Sequence, residues 1–164
     1  MDNLILVSTC LLGLDTKYNG NSNENNIIME YARFGKFIPV CPEQLGGLET
    51  PRASAEIIGG SGEDVLHGKC KVMTDRGIDE TNQYIKGARE VVKLLKLFPV
   101  TAAILKQRSP SCGNSKIYDG TFTGNVIDGQ GVTAALLKQY DIPVFSEEDV
   151  TSELLERLIG HINE

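Results

Sequence analysis

The sequence predicts an α/β protein: one domain, spanning residues 1–164, on an open, mostly parallel sheet with helices on both faces and a small β-insertion near residues 56–74. Three observations point there. Short apolar runs rich in β-branched residues alternate with stretches of helical spacing. Several of those runs end at a turn carrying a cysteine. Finally, 164 residues, 41% hydrophobic and 23% charged, suffice for one packed domain and leave little room for a second.

Taken in order, Leu4–Ser8 (LILVS) is a buried parallel strand ending at Thr9-Cys10. Residues 23–34 place Ile27, Ile28, Tyr31 and Phe34 at helical spacing, with Gly35 as the stop. Phe37–Val40 (FIPV) is the second strand and runs into Cys41-Pro42. Residues 56–74 break the rhythm: Gly59, Gly60 and Gly62, then the alternating Lys69–Met73, predict a β-insertion or hairpin. The longest helix is expected from Asp79, its cap, to about Leu97, with Pro99 beyond it. Ala102–Leu105 is the third strand and leads through Lys106 into Ser109-Pro110-Ser111-Cys112-Gly113. A glycine-bearing loop (Gly120, Gly124, Gly129, Gly131) opens a helix over 131–140; Ile142–Phe145 closes the sheet, and a last helix covers 149–162. The resulting layering is Rossmann-like.

Composition narrows the function. Twenty-two acids against sixteen Lys and Arg give a net charge of -6, with no basic run, which argues against a long nucleic acid and leaves a small anion possible. The Leu4–Leu14 stretch has the length of a signal core but no positive charge ahead of it, and no run reaches the length of a membrane span. A cytoplasmic chain is expected, with no membrane partner. Its four cysteines are then reduced, and their wide spacing excludes a disulfide scaffold.

Cys10, Cys41 and Cys112 each lie just past an expected strand. In an open parallel sheet such turns share the carboxyl edge, where ligands bind. Three thiols far apart in sequence can therefore meet, and three thiolates suit zinc or an iron-sulfur cluster. Each alone would read as a small buried core residue; the shared position at polar turns gives the joint metal or catalytic role equal weight. His67 and His161 offer no obvious fourth ligand, and a three-ligand site with an open position is a catalytic pattern. Cys70, flanked by lysines inside the insertion, reads as structural or surface.

The segments STCLLG (8–13), KYNG (17–20), CPEQLGGLETPRASA (41–55), KQRSPSCG (106–113), YDGTFTG (118–124) and GQGVTAALL (129–137) resemble, in order, the thiouracil desulfidase family, over about residues 4–145. The resemblance implies a 4Fe-4S cluster with three cysteine ligands, Cys10, Cys41 and Cys112, and one open iron, which exposure to air can strip from the purified protein. It also implies removal of sulfur from 2-thiouracil or 4-thiouridine-type compounds, giving the oxo base and hydrogen sulfide without net redox change. The partner is then a small thiolated nucleobase, nucleoside or nucleotide. Asn19 stands where the family is expected to carry Asp, which bears on substrate choice.

On that reading Glu43, two residues after Cys41, is the candidate general base and later acid. Ser109 and Ser111 are candidates to orient water or the ring, Ser109 ahead of Ser111. Lys106 and Arg52 are candidate binders of a carbonyl or phosphate. Gly129 and Gly131 sit in a loop expected to be a tight connector that also walls the substrate pocket; backbone N-H groups at the helix start can meet an anion, but the glycine spacing is not a complete dinucleotide fingerprint. The alternatives are a cluster-dependent sulfur transferase and a non-catalytic metal-binding regulatory module.

Overall fold

A computed structural model describes residues 3–160 of the chain. The first strand, β1 (Leu4–Ser8), runs into a 3₁₀ turn at Thr9–Leu12, and α1 (Asn26–Tyr31) follows. The expected helix over 23–34 starts late because the N-H groups of Asn23 and Asn25 bond to the carbonyls of Cys10 and Leu11 instead of joining a helix. Asn25 then caps α1 by accepting from the Ile28 N-H at 3.1 Å. A 3₁₀ turn over Ala32–Phe34 ends at Gly35, whose φ of 67° supplies the stop read from the sequence.

Next come β2 (Phe37–Val40), with the bounds expected, and a four-residue helix, α2 (Pro42–Leu45), that the sequence reading treats as a turn. The insertion is a β-α-β unit. Strands β3 (Ala55–Ile58) and β4 (Lys71–Thr74) pair antiparallel and are joined by α3 (Gly62–Leu66) instead of a tight hairpin turn. Ser61 and Asp64 form a reciprocal capping box that starts α3 within the glycine-rich stretch. Helix α4 (Thr81–Leu97) begins two residues after the expected cap, because Asp79 bridges to Met73 and turns its carboxylate to the Thr81 N-H.

Strand β5 (Val100–Leu105) starts directly after Pro99, two residues earlier than expected. The loop beyond it holds a further antiparallel pair, β6 (Lys116–Tyr118) and β7 (Val126–Asp128), before α5 (Val132–Gln139). The last strand, β8 (Val144–Ser146), is displaced from 142–145 because the Ile142 N-H closes the end of α5 on the Leu137 carbonyl. The final helix is α6 (Ser152–Ile159), capped by Thr151. His161 and the expected end of this helix at Ile162 lie outside the described residues.

The central sheet has the order β2-β1-β5-β8, parallel throughout. Its period-2 side chains sort into two layers. Ile5, Val7, Ala102 and Ile104 join Ile28 and Tyr31 of α1 and Leu155 and Ile159 of α6 on one face. Leu6, Ala103 and Leu105 join Val91 and Val92 of α4 and Ala134 and Leu137 of α5 on the other. Both faces are thus covered by helices, as the continuous apolar strands require.

Helix α2 rests on α4 through two glycines. A Cβ on Gly46 would lie 2.0 Å from the Gln83 carbonyl oxygen, and one on Gly87 would lie 2.0 Å from that of Pro42. This contact fixes the turn that carries Cys41 and Glu43. In an exposed helix interior, replacing Gly by Ala stabilises by about 1 kcal/mol. Here the sign reverses: Gly87→Ala is expected to destabilise by about 1 to 3 kcal/mol, as overpacked cores do. Urea unfolding checks it, and a higher midpoint would show that the two helices separate freely.

Candidate active site

Three strand ends converge. After β1, the 3₁₀ turn carries Cys10 and is closed by Gly13 at φ 86°. After β2, Cys41 is the N-cap of α2, Pro42 occupies its first turn, and Glu43 follows. After β5, Ser109 organises the turn that carries Cys112: its hydroxyl accepts from the N-H groups of Ser111 at 3.1 Å and Cys112 at 3.0 Å. The β1 and β5 ends are tied together, since the Ser8 hydroxyl accepts from the Lys106 N-H at 3.0 Å.

Between them lies a cavity of about 250 Å³, lined by Cys10, Cys41, Cys112, Glu43 and Ser109. Glu43 is only 8% exposed. One carboxylate oxygen accepts from the Ser109 hydroxyl at 3.1 Å and the other from the Cys41 thiol at 3.5 Å, so the carboxylate joins the β2 turn to the β5 turn. Burial raises the pKa of all three thiols. It acts on Cys10 against a hydrogen bond from Asn23; with the Glu43 charge it pushes Cys41 up to about 11; and it pushes Cys112 well above the usual thiol range. Among the described residues no group of three His, Cys, Asp or Glu side chains is gathered tightly enough for a single metal ion. The three thiols line one cavity without closing on one point. A set of thiol donors of this kind is chemically suited to soft metals.

The profile of the 2-thiouracil desulfurase family matches residues 5–149. The chain belongs to the 2-thiouracil desulfurase family. It is 48% identical over 151 residues to the uncharacterized protein YbbK of Bacillus subtilis (strain 168), covering 92% of this chain and all of that one. It is also similar to a solved structure of TudS, a [4Fe-4S]-dependent thiouracil desulfidase, at 38% identity and a TM-score of 0.79, over 90% of this chain and 93% of the other.

Within this family member the other candidates divide. Arg52 and Lys106 both line the cavity but have protein partners. Arg52 donates to the carbonyls of Glu49 and Thr16 and to the Thr50 hydroxyl, clamping its own loop. The Lys106 ammonium donates to the Gln107 carbonyl at 2.9 Å and stands 3.6 Å from the Glu147 carboxylate. Ser111, expected at the reacting centre, is fully buried off the cavity, its hydroxyl 2.7 Å from that of Thr133. Gly129 and Gly131 do not line the cavity either. A Cβ on Gly131 would lie 2.4 Å from the Ser111 carbonyl carbon, and one on Gly129 would press on Ile117, so both serve close packing behind the cysteine turn. Cys70 packs against the buried cluster of the insertion. Asn19 is exposed and accepts from the Asn21 N-H within its own turn.

The sequence reading passed over Tyr18, Tyr84, Gln107, Arg108 and Tyr118, which also line the cavity. Gln107 is 4% exposed; its side-chain oxygen accepts from the N-H groups of Asn114, Ser115 and Lys116, folding the chain back after the Cys112 turn. Nothing in a lone glutamine marks that role in sequence.

The raised Cys41 thiol sets a chemical signature for the metal-free chain. With a pKa of about 11 in place of 9.0, its thiolate is scarcer at pH 8 by about a hundredfold, partly offset by the higher nucleophilicity of a more basic thiolate. Alkylation of Cys41 by iodoacetamide at pH 8 should therefore run on the order of tenfold slower than that of an unfolded cysteine. The rate should keep climbing up to about pH 11 instead of levelling above pH 9. Peptide mass spectrometry reads both, and a plateau near pH 9 would contradict the burial effect.

Proposed function

We propose that the chain is a one-domain, [4Fe-4S]-dependent desulfidase that converts a thiolated pyrimidine and water into the oxo base and hydrogen sulfide, without net redox change. One observation carries this reading: thiols from three separate strand ends line the same cavity as a buried carboxylate. Family membership and the likeness to TudS support it. Cys10, Cys41 and Cys112 would hold the cluster. When bound, the cluster supplies a Lewis-acidic iron suited to a soft thiocarbonyl sulfur.

The remaining work falls to the chain. Glu43 takes a proton from the attacking water and delivers one to the departing sulfur. The hydrogen bond from the Ser109 hydroxyl fixes the carboxylate's orientation before substrate arrives, while the bond from the Cys41 thiol would be given up as that sulfur loses its proton to bind metal. Ser109 positions that carboxylate and, through its bonds to the Ser111 and Cys112 N-H groups, the turn carrying the third thiol. Arg52 and Lys106, with their protein partners in place, shape the wall and set its positive field.

Anaerobic reconstitution with iron and sulfide, followed by 2-thiouracil, should release sulfide and yield uracil. No sulfide from any thiolated base, nucleoside or monophosphate by cluster-loaded protein would sink the reading, and sulfide retained on an acceptor would turn it to a transferase. Cys10→Ser, Cys41→Ser and Cys112→Ser should each lose most bound iron, while Cys70→Ser retains it, because a neutral hydroxyl does not replace a thiolate. Glu43→Gln should keep its iron yet release sulfide about 10² to 10⁴-fold more slowly, the range general acid-base assistance covers. Unchanged turnover in that variant would move the proton transfer to another group.

A further inference from the structure

Tyr84 stands apart among the cavity-lining side chains. It projects from α4, which contributes none of the cysteine turns, and is only 4% exposed. Its ring belongs to the buried cluster that includes Ala55, Ile57, Ala88 and Val132, so the ring is held by packing on an element that is itself rigid. The one part of the side chain able to hydrogen-bond is the hydroxyl at its tip. Buried tyrosine hydroxyls normally find a partner. This one makes no hydrogen bond with any described residue, and it is not sealed in, because the residue lines the cavity that also holds Glu43 and Cys112.

Most of the charged side chains there already have protein partners. Ser109 donates to Glu43, whose second oxygen accepts from the Cys41 thiol. Lys106 stands against Glu147, Arg108 bonds to Glu148 at 2.7 Å, and Arg52 has three acceptors. Lys17 lies over the exposed Tyr18 ring at 5.8 Å. Burial, with the Glu43 charge adding to it, keeps the Tyr84 phenol protonated well above its usual range. A neutral, fixed hydroxyl with an unused proton is a donor waiting for an acceptor.

On the desulfidase reading above, we propose that Tyr84 is a substrate-contacting residue whose hydroxyl donates a hydrogen bond to the ring oxo group that a thiolated pyrimidine carries besides its sulfur. A rigid donor of this kind sets orientation as well as affinity. With the oxo group engaged by Tyr84 and the sulfur directed toward the thiols, the ring has one way to lie. An analogue without the oxo group leaves the hydroxyl unpaired, and sites built around a polar contact reject such analogues.

The test compares 2-thiouracil with pyrimidine-2-thione, which keeps the sulfur and ring but lacks the oxo group. Binding of each to cluster-loaded wild type and Tyr84→Phe is measured by calorimetry, beside iron content, unfolding midpoint and sulfide release. The expected result is about tenfold weaker binding of 2-thiouracil by the variant, the effect of one neutral hydrogen bond, with pyrimidine-2-thione unchanged. Iron content and midpoint should stay at wild-type values. Equal weakening of both compounds, or of neither, overturns the proposal. So does loss of iron or a lower midpoint, which would make the hydroxyl structural, and so does a wild type that binds neither compound. Wild-type binding of 2-thiouracil without sulfide release would instead sink the desulfidase reading alone, since the binding comparison still reports on Tyr84.

Discussion

The parallel pairing of β1 between β2 and β5 is the constraint from which the site follows. Because the three strands run the same way, their carboxyl ends fall on one edge. Whatever residues follow each strand are then neighbours in space, however far apart in sequence. The register is pinned from both sides, with Ile5 and Val7 committed to one layer of helices and Leu6 to the other. A slip of one residue would exchange the two sets of side chains. The positions of Cys10, Cys41 and Cys112 are therefore held by the core, and the turns add only local direction.

Local direction comes from polar groups that answer one another. Serines end two of the strands' connections: Ser8 receives the Lys106 N-H and Ser109 the N-H groups of its own turn. Glu43 then spans from one turn to the next. Burying this carboxylate beside three thiols sets up a collective preference against negative charge, visible in the upward displacement of all three thiols. Positive charge reverses that preference, which is the ordinary logic of a thiolate metal centre: protons leave as metal arrives. The same desolvation that disfavours an isolated thiolate strengthens every electrostatic contact between balanced charges.

Much of this was legible in the chain. The bounds of β1 and β2 match the apolar runs, since a strand covered on both faces must be apolar throughout. The convergence of the cysteines followed from those runs together with the rule for parallel sheets. What the sequence hid depends on partners far along the chain. Ser111 ranks only narrowly behind Ser109 in sequence, and it is Thr133, from α5, that holds its hydroxyl away from the cavity. The glycines before α5 read as a tight connector that also walls the pocket, yet Gly131 lies off the cavity and is needed because the cysteine turn packs against it. Helix α3 was masked by its glycines, whose turn signal is stronger than that of a single buried turn of helix. Tyr84 fits the apolar stripe of α4 so well that periodicity assigns it wholly to the core, and only the fold shows which end of the side chain meets the cavity.

Part of the cavity wall is built apart from the sheet that carries the thiols. The thiols and Glu43 belong to turns anchored in the four-stranded sheet, whereas Tyr118 is presented by the small β6-β7 pair, and Ala55 begins the separate β3-β4 pair. Glu56 links those two small pairs, its carboxylate accepting from the N-H groups of Gly120 and Phe122. That part of the wall is thus a self-braced panel fastened beside the thiol-bearing edge. Loops exchanged within that panel would refit the enclosure while leaving the thiol-bearing edge as it stands, so the shape of the cavity and the placing of the thiols can vary independently in this fold.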